Sequence, residues 1–99
     1  MPHVVRMPAL LVAAALALAA CAGAPLQEMS NARQAIRAAR DAGAERTAPQ
    51  KLTEAEALLN RAEDSLERRA YREARRNAIA ARDKAAEALD SAQPGSNTG

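Results

Sequence analysis

Beyond residue 21 the sequence has no cysteine and no histidine, and over its whole length it has no tryptophan, no phenylalanine and one tyrosine, Tyr71. His3 and Cys21 are its sole imidazole and thiol. Nucleophile–base pairs using Cys or His, zinc sites and internal disulfides therefore have no material after residue 21. β-branched residues are almost absent there too, which removes the usual support for strands. At 99 residues the chain holds one small domain at most. Its apolar fraction of 48% is largely alanine, which buries little surface, so a large core with a deep substrate pocket is excluded. These deficits argue against an enzyme before any motif is read. What the sequence does contain is an apolar leader and a long run of alanine, arginine and glutamate.

The leader begins MPHVVRMP, with one firm positive charge at Arg6, and continues as ALLVAAALALAA from Ala9 to Ala20 before Cys21. As a helix that apolar run rises about 18 Å, short of the ~30 Å hydrocarbon core of a bilayer. Its length suits the apolar region of a secretory signal peptide rather than a transmembrane helix. It ends in Leu18-Ala19-Ala20-Cys21, which resembles the lipobox of bacterial lipoproteins. Small side chains let the backbone lie extended in the processing peptidase, and the thiol is the group that accepts diacylglycerol. The resemblance implies a cleaved leader over residues 1–20. It also implies a covalent diacylglycerol and an N-acyl (palmitate-type) lipid on Cys21, with no other cofactor. The alternative is ordinary signal-peptidase cleavage after Ala17-Leu18-Ala19 with Cys21 a bystander. A free exposed thiol on an exported protein is a liability, which favours lipidation. Two or three acyl chains meet the requirement for stable anchoring. Ala22, where Gram-negative lipoproteins retained in the inner membrane carry Asp, points to the inner leaflet of the outer membrane, facing the periplasm.

Removing residues 1–20 takes away one basic side chain and no acidic one, so the remainder is close to neutral. Ala, Arg and Glu are strong helix formers, and the reading is an all-α fold: a short three-helix bundle or helical hairpin. The predicted helices cover about 25–42, 48–67 and 70–92. Residues 21–25 form the lipidated Cys and a short linker, 26–93 the helical domain, and 94–99 a disordered polar tail. Pro25 suits a first helical turn and Gly43 a C′ position. The first inward face reads Met29, Ala32, Ile36, Ala39. Thr47-Ala48-Pro49-Gln50 reads as a capping box opening the second helix, with the stripe Leu52, Ala55, Leu59, Ala62, Leu66. The third stripe is Tyr71, Ala74, Ala78, Ala81, Ala85, Ala88, Ala92. No Gly or Pro interrupts 50–92, which favours one rod. The apolar face, however, restarts five residues after Leu66, which favours a turn near Arg68–Ala70.

Tyr71-x-x-Ala74-x-x-x-Ala78-x-x-Ala81, with Leu58 and Ala62 before it, resembles one tetratricopeptide-type hairpin, though a solenoid needs several stacked units. Nearly all of the chain past the leader is similar to a bacterial envelope domain of unknown function numbered 4398. The resemblance runs through the Ala-rich first segment, Gly43-Ala44, Ala48-Pro49, the Leu-x-x-Ala-x-x-x-Leu stripe and Tyr71-x-x-Ala74. It implies a small lipoprotein with no defined activity.

Arg68, Arg69, Arg72, Arg75 and Arg76 crowd five guanidiniums into nine residues. Positions 68, 72, 75 and 76 would share one face of a continuous helix and could meet phosphates of lipid A or acidic groups of a partner. Pairing of Asp64 with Arg68, and of Glu73 with Arg69 or Arg76, makes a solvated surface the plainer reading. Nucleic acid is disfavoured, since no aromatic platform accompanies the arginines. Glu54/Glu56 and Glu63/Glu67 lack the carbonyl ligands of a calcium site, so no metal is expected. Tyr71 is read as a packing residue. With so few large side chains, the core is expected to be completed by a second copy or another envelope protein. The expected function is a non-catalytic outer-membrane lipoprotein, a helical adaptor or structural component with no small-molecule substrate. The alternative is an oligomeric coiled-coil lipoprotein that spaces or tethers the outer membrane to the wall.

Overall fold

A computed structural model describes residues 23–93; the expected leader, the expected lipobox residues Leu18, Ala19 and Ala20, the expected lipidation site Cys21 and the segment 94–99 lie outside the described residues. Four helices follow one another: α1 (Leu26–Asp41), α2 (Ala44–Thr47), α3 (Pro49–Glu67) and α4 (Tyr71–Ala92). Among the described residues there is no strand. The three long helices match the all-α bundle expected from the sequence, and the four-residue α2 is an addition.

Buried residues give the topology. Met29 of α1 clusters with Ala62 of α3 and Ala78 of α4. Further along, Ile36 and Ala39 cluster with Leu52, Ala55, Ala85 and Ala88. Residue numbers rise together in α1 and α4 and fall in α3, so the chain runs up, down and up. The long α4 is the common partner, packing most extensively on α3 and then on α1.

Every buried side chain of α4 is an alanine: Ala74, Ala78, Ala81, Ala85 and Ala88 are each fully shielded. Side-chain size at the contact sets interaxial distance, so this face admits the other helices closely. The bulk of the core comes from Met29, Ile36 and Leu52, with Leu59, Leu66 and Leu89 half-buried around it. Ser65 is also buried, on the α3 face where the apolar stripe pointed to Leu66. No buried side-chain nitrogen or oxygen among the described residues lacks a partner, so its hydroxyl is satisfied.

Two reversals fold the chain. Gly43 takes φ 90°, and its N–H donates to the Arg40 carbonyl at 2.9 Å, closing α1 at the C′ position glycine favours. After α3, the Ala70 N–H donates to the Ser65 carbonyl at 2.8 Å and the Arg69 N–H to the Leu66 carbonyl at 2.9 Å. That pair of bonds is a Schellman cap, and its left-handed residue is Arg69 with φ 62°. The turn expected near Arg68–Ala70 is therefore present, and 48–92 is two helices.

Two local readings need correction. Thr47 does not cap α3; the N-cap is Ala48, without a side-chain hydrogen bond, and Pro49 is the first residue. The Thr47 hydroxyl lies at the end of α2 and donates back to the Gly43 carbonyl at 3.2 Å, so it is already engaged. Pro25, assigned to the linker, is fully buried at the N-cap of α1, and its carbonyl accepts from the Met29 N–H at 3.0 Å. The folded body thus begins nearer Cys21 than the sequence indicated.

An L side chain in the left-handed region costs about 1–2 kcal/mol. Arg69→Gly should therefore stabilise the domain by about 1 kcal/mol in urea unfolding; a loss of stability would show that the arginine side chain itself holds the turn. Ala85→Leu should destabilise by about 1–3 kcal/mol because the alanine face has no room for it. An unchanged midpoint would show slack between the helices.

Candidate functional site

Because α1 and α4 run parallel, their N-termini share one end of the bundle with the α3–α4 turn. This tip gathers the whole arginine run. Arg68 and Arg69 lie in the turn, and Arg72, Arg75 and Arg76 lie on the first turns of α4. The expectation that Arg68, Arg72, Arg75 and Arg76 share one helical face does not hold, because α3 ends at Glu67 and breaks the phase.

The five arginines have different surroundings. Arg75 Nε donates to Glu28 Oε1 of α1 at 3.2 Å, with both side chains about one-third exposed. It thereby ties the start of α4 to the start of α1. Arg68 reaches across the turn to Glu73 at 3.7 Å in a solvated pair, rather than back to Asp64. Arg69, Arg72 and Arg76 are exposed and form no ion pair with a described residue. Two helix N-termini meet one C-terminus here, and their partial charges add to the cationic character of the end.

Two apolar side chains stand exposed at the same tip. Leu26 is 62% exposed and Tyr71 36% exposed. Tyr71 is therefore not an interior packing residue; it is the first residue of α4, beyond the last core layer of alanines. Its ring borders Gly23, where a Cβ would meet Cδ2 at 3.6 Å.

Elsewhere three basic side chains join helices. Arg33 faces Glu63 at 4.0 Å, and Arg40 pairs with Glu56, both between α1 and α3. Lys84 lies 3.5 Å from both Glu54 of α3 and Glu87 of its own helix. The Glu87 charge, followed by the hydrogen bond to Glu54, raises its pKa above the ordinary lysine value. A raised lysine pKa adds stability below the unfolded value that is lost as pH rises through the folded one, so this contact stays intact at neutral pH. Glu54, Glu56 and Glu63, weighed above as cation ligands, are thus turned towards basic side chains. Among the described residues no group of three or more His, Cys, Asp or Glu could hold a metal ion. An open groove of about 360 Å³ between α1 and α3 is lined by Arg33, Ile36, Arg37, Arg40, Glu56 and neighbouring residues, and two ion pairs bridge that helix boundary. No helix among the described residues is long and apolar enough to cross a membrane.

The run of arginines was legible in the sequence. Its division by the turn, and the Arg75–Glu28 bond across 47 positions, were not. Leu26 and Gly23 were missed, because their place beside Tyr71 depends on the parallel packing of α1 and α4.

A double-mutant cycle on Glu28 and Arg75 (E28Q, R75Q) should give a coupling of roughly 0.5–1 kcal/mol, and the same cycle on Arg68 and Glu73 close to zero. Equal couplings, read by urea unfolding, would deny the Arg75 bond its role in joining the helices.

A family model described as Domain of unknown function (DUF4398) matches residues 27–96. No curated protein matches the chain, and no solved structure does.

Proposed function

The chain belongs to the DUF4398 family, and from that premise we propose that it is a non-catalytic, lipid-anchored protein of the bacterial outer membrane. It acts in the periplasm as a helical envelope adaptor or structural component, through protein–protein contacts. The observation that carries this reading is Leu18-Ala19-Ala20-Cys21 at the end of an uncharged apolar run, immediately ahead of the folded body. That body supports it. Its core is dominated by alanine, Glu28, Glu54, Glu56 and Glu63 are turned to basic side chains of neighbouring helices, and its long helices present charged outer surfaces. A lipid on Cys21 concentrates such a body at a membrane without need of a spanning helix.

The fibrous wall-tethering alternative is not favoured. The reversals at Gly43 and Arg69 fold the chain back on itself within one molecule, whereas a rod needs an unbroken helix.

In cells fed labelled palmitate, the full chain should carry label and Cys21→Ser should carry none; label on the variant would overturn the anchor. Photo-crosslinking residues at Gln34, Arg61 and Asp83, one exposed site on each long helix, test the contact role in the native envelope. A discrete adduct with another envelope protein is the outcome expected of an adaptor, and self-adducts that of a self-associating structural protein. No adduct from any of the three sites would overturn a role through protein contacts.

A further inference from the structure

We propose that the tip formed by Arg68, Arg69, Arg72, Tyr71 and Leu26 lies against the anionic phospholipid surface of the leaflet that holds the anchor. The proposal rests on the lipid anchor at Cys21 and adds an orientation to it: the bundle stands tip-down on the membrane.

Proximity comes first. Gly23 lies against the Tyr71 ring, and Cys21 is two residues away. Two residues of extended chain reach about 7 Å, so a lipid on Cys21 brings this end, and not the α2 end, to the headgroups. Charge comes next. Residues 67–76 hold Arg68, Arg69, Arg72, Arg75 and Arg76 against Glu67 and Glu73, and with Arg68 facing Glu73 and Arg75 bound to Glu28 the balance at the tip stays basic. The far end of the bundle mixes Asp41, Glu45 and Asp90 with Arg46 and Lys51. Guanidinium suits phosphate, and basic side chains near an anionic surface are attracted to it until salt screens them.

Apolar exposure coincides with the charge. Leu26 and Tyr71 are the two large apolar side chains left exposed among the described residues, and both stand at this end. Tyrosine places an apolar ring and a polar hydroxyl across a wet–apolar boundary, which is what the headgroup region provides. Strain is the last observation. Arg69 occupies the left-handed position of the Schellman cap, where glycine is the least costly residue. A strained backbone residue is a pointer to function, and here the side chain retained at that cost is one more guanidinium facing outward.

Tyr71 is the chain's single aromatic residue, so its emission reports on the tip without any introduced label. The lipidated full chain would be reconstituted into phosphatidylethanolamine vesicles containing one-third phosphatidylglycerol and, separately, into phosphatidylcholine vesicles. Acrylamide quenching of Tyr71 should fall several-fold on the anionic vesicles relative to the neutral ones, and recover in high salt. Three arginines in such a field bias the tip-down orientation by on the order of 100-fold. R68Q/R69Q/R72Q should lose the protection while its helical circular dichroism and its attachment to vesicles stay unchanged. R69G keeps the turn unstrained and should lose part of the protection. Equal quenching on the two vesicle types, or protection that survives in the triple glutamine variant, would overturn the tip contact alone. Intact mass reports the lipid on Cys21 separately, and its absence would overturn the anchor and the orientation together.

Discussion

Contact between alanine methyls along α4 is the constraint on which the molecule depends. A helix that buries only alanine contributes little apolar area of its own, so its neighbours must come close enough for backbone and methyl groups to make dispersion contact over the full length. Bulk then has to come from the other two helices, as it does in Met29, Ile36 and Leu52. The same closeness lets long charged side chains span helix boundaries. Arg75 reaches Glu28, and Lys84 reaches Glu54, because the helices that carry them lie close together. A core of leucines on α4 would have spread the bundle and put these pairs out of reach.

Much of this was written in the spacing of residues. Alternate steps of three and four marked Met29, Ala32, Ile36 and Ala39 on α1 and the five buried alanines of α4. The step of five after Leu66 marked the turn, and Gly43 marked the first reversal. What the spacing could not carry is equally specific. A serine three residues after Ala62 looks polar, yet position 65 falls on the inward face of α3. Thr47 has the chemistry of a cap, but a short helix ahead of Pro49 uses its hydroxyl first. The left-handed Arg69 violates a propensity, and no propensity argument finds a residue placed against its own preference. For the candidate site, the sequence supplied the arginines but not their neighbours: Leu26, Gly23 and Glu28 join the tip through the parallel packing of α1 on α4.

The tip and the body follow different rules. Along the body, Arg33, Arg40 and Lys84 meet carboxylates on neighbouring helices. At the tip, three guanidiniums have no described counter-ion, one of them in a conformation that costs stability, beside two apolar side chains left in water. Open guanidiniums also stand along the body, at Arg37 and Arg61, but only at the tip do they coincide with exposed large apolar side chains among the described residues.

The alanines of α4 also behave as a ruler with identical graduations. Ala74, Ala81 and Ala88 stand seven apart, as do Ala78 and Ala85, so sliding α4 by one heptad, about 10.5 Å, sets methyl on methyl once more. The α1–α3 ion pairs share the ambiguity, since Arg33 and Arg40, like Glu63 and Glu56, are seven apart. The zero of the ruler is set instead by the tether between α3 and α4, the short segment Arg68–Ala70. Lengthening that tether would free the hairpin to lock in a neighbouring notch with its interior still dry, so the alignment of this fold is stored in a loop of three residues.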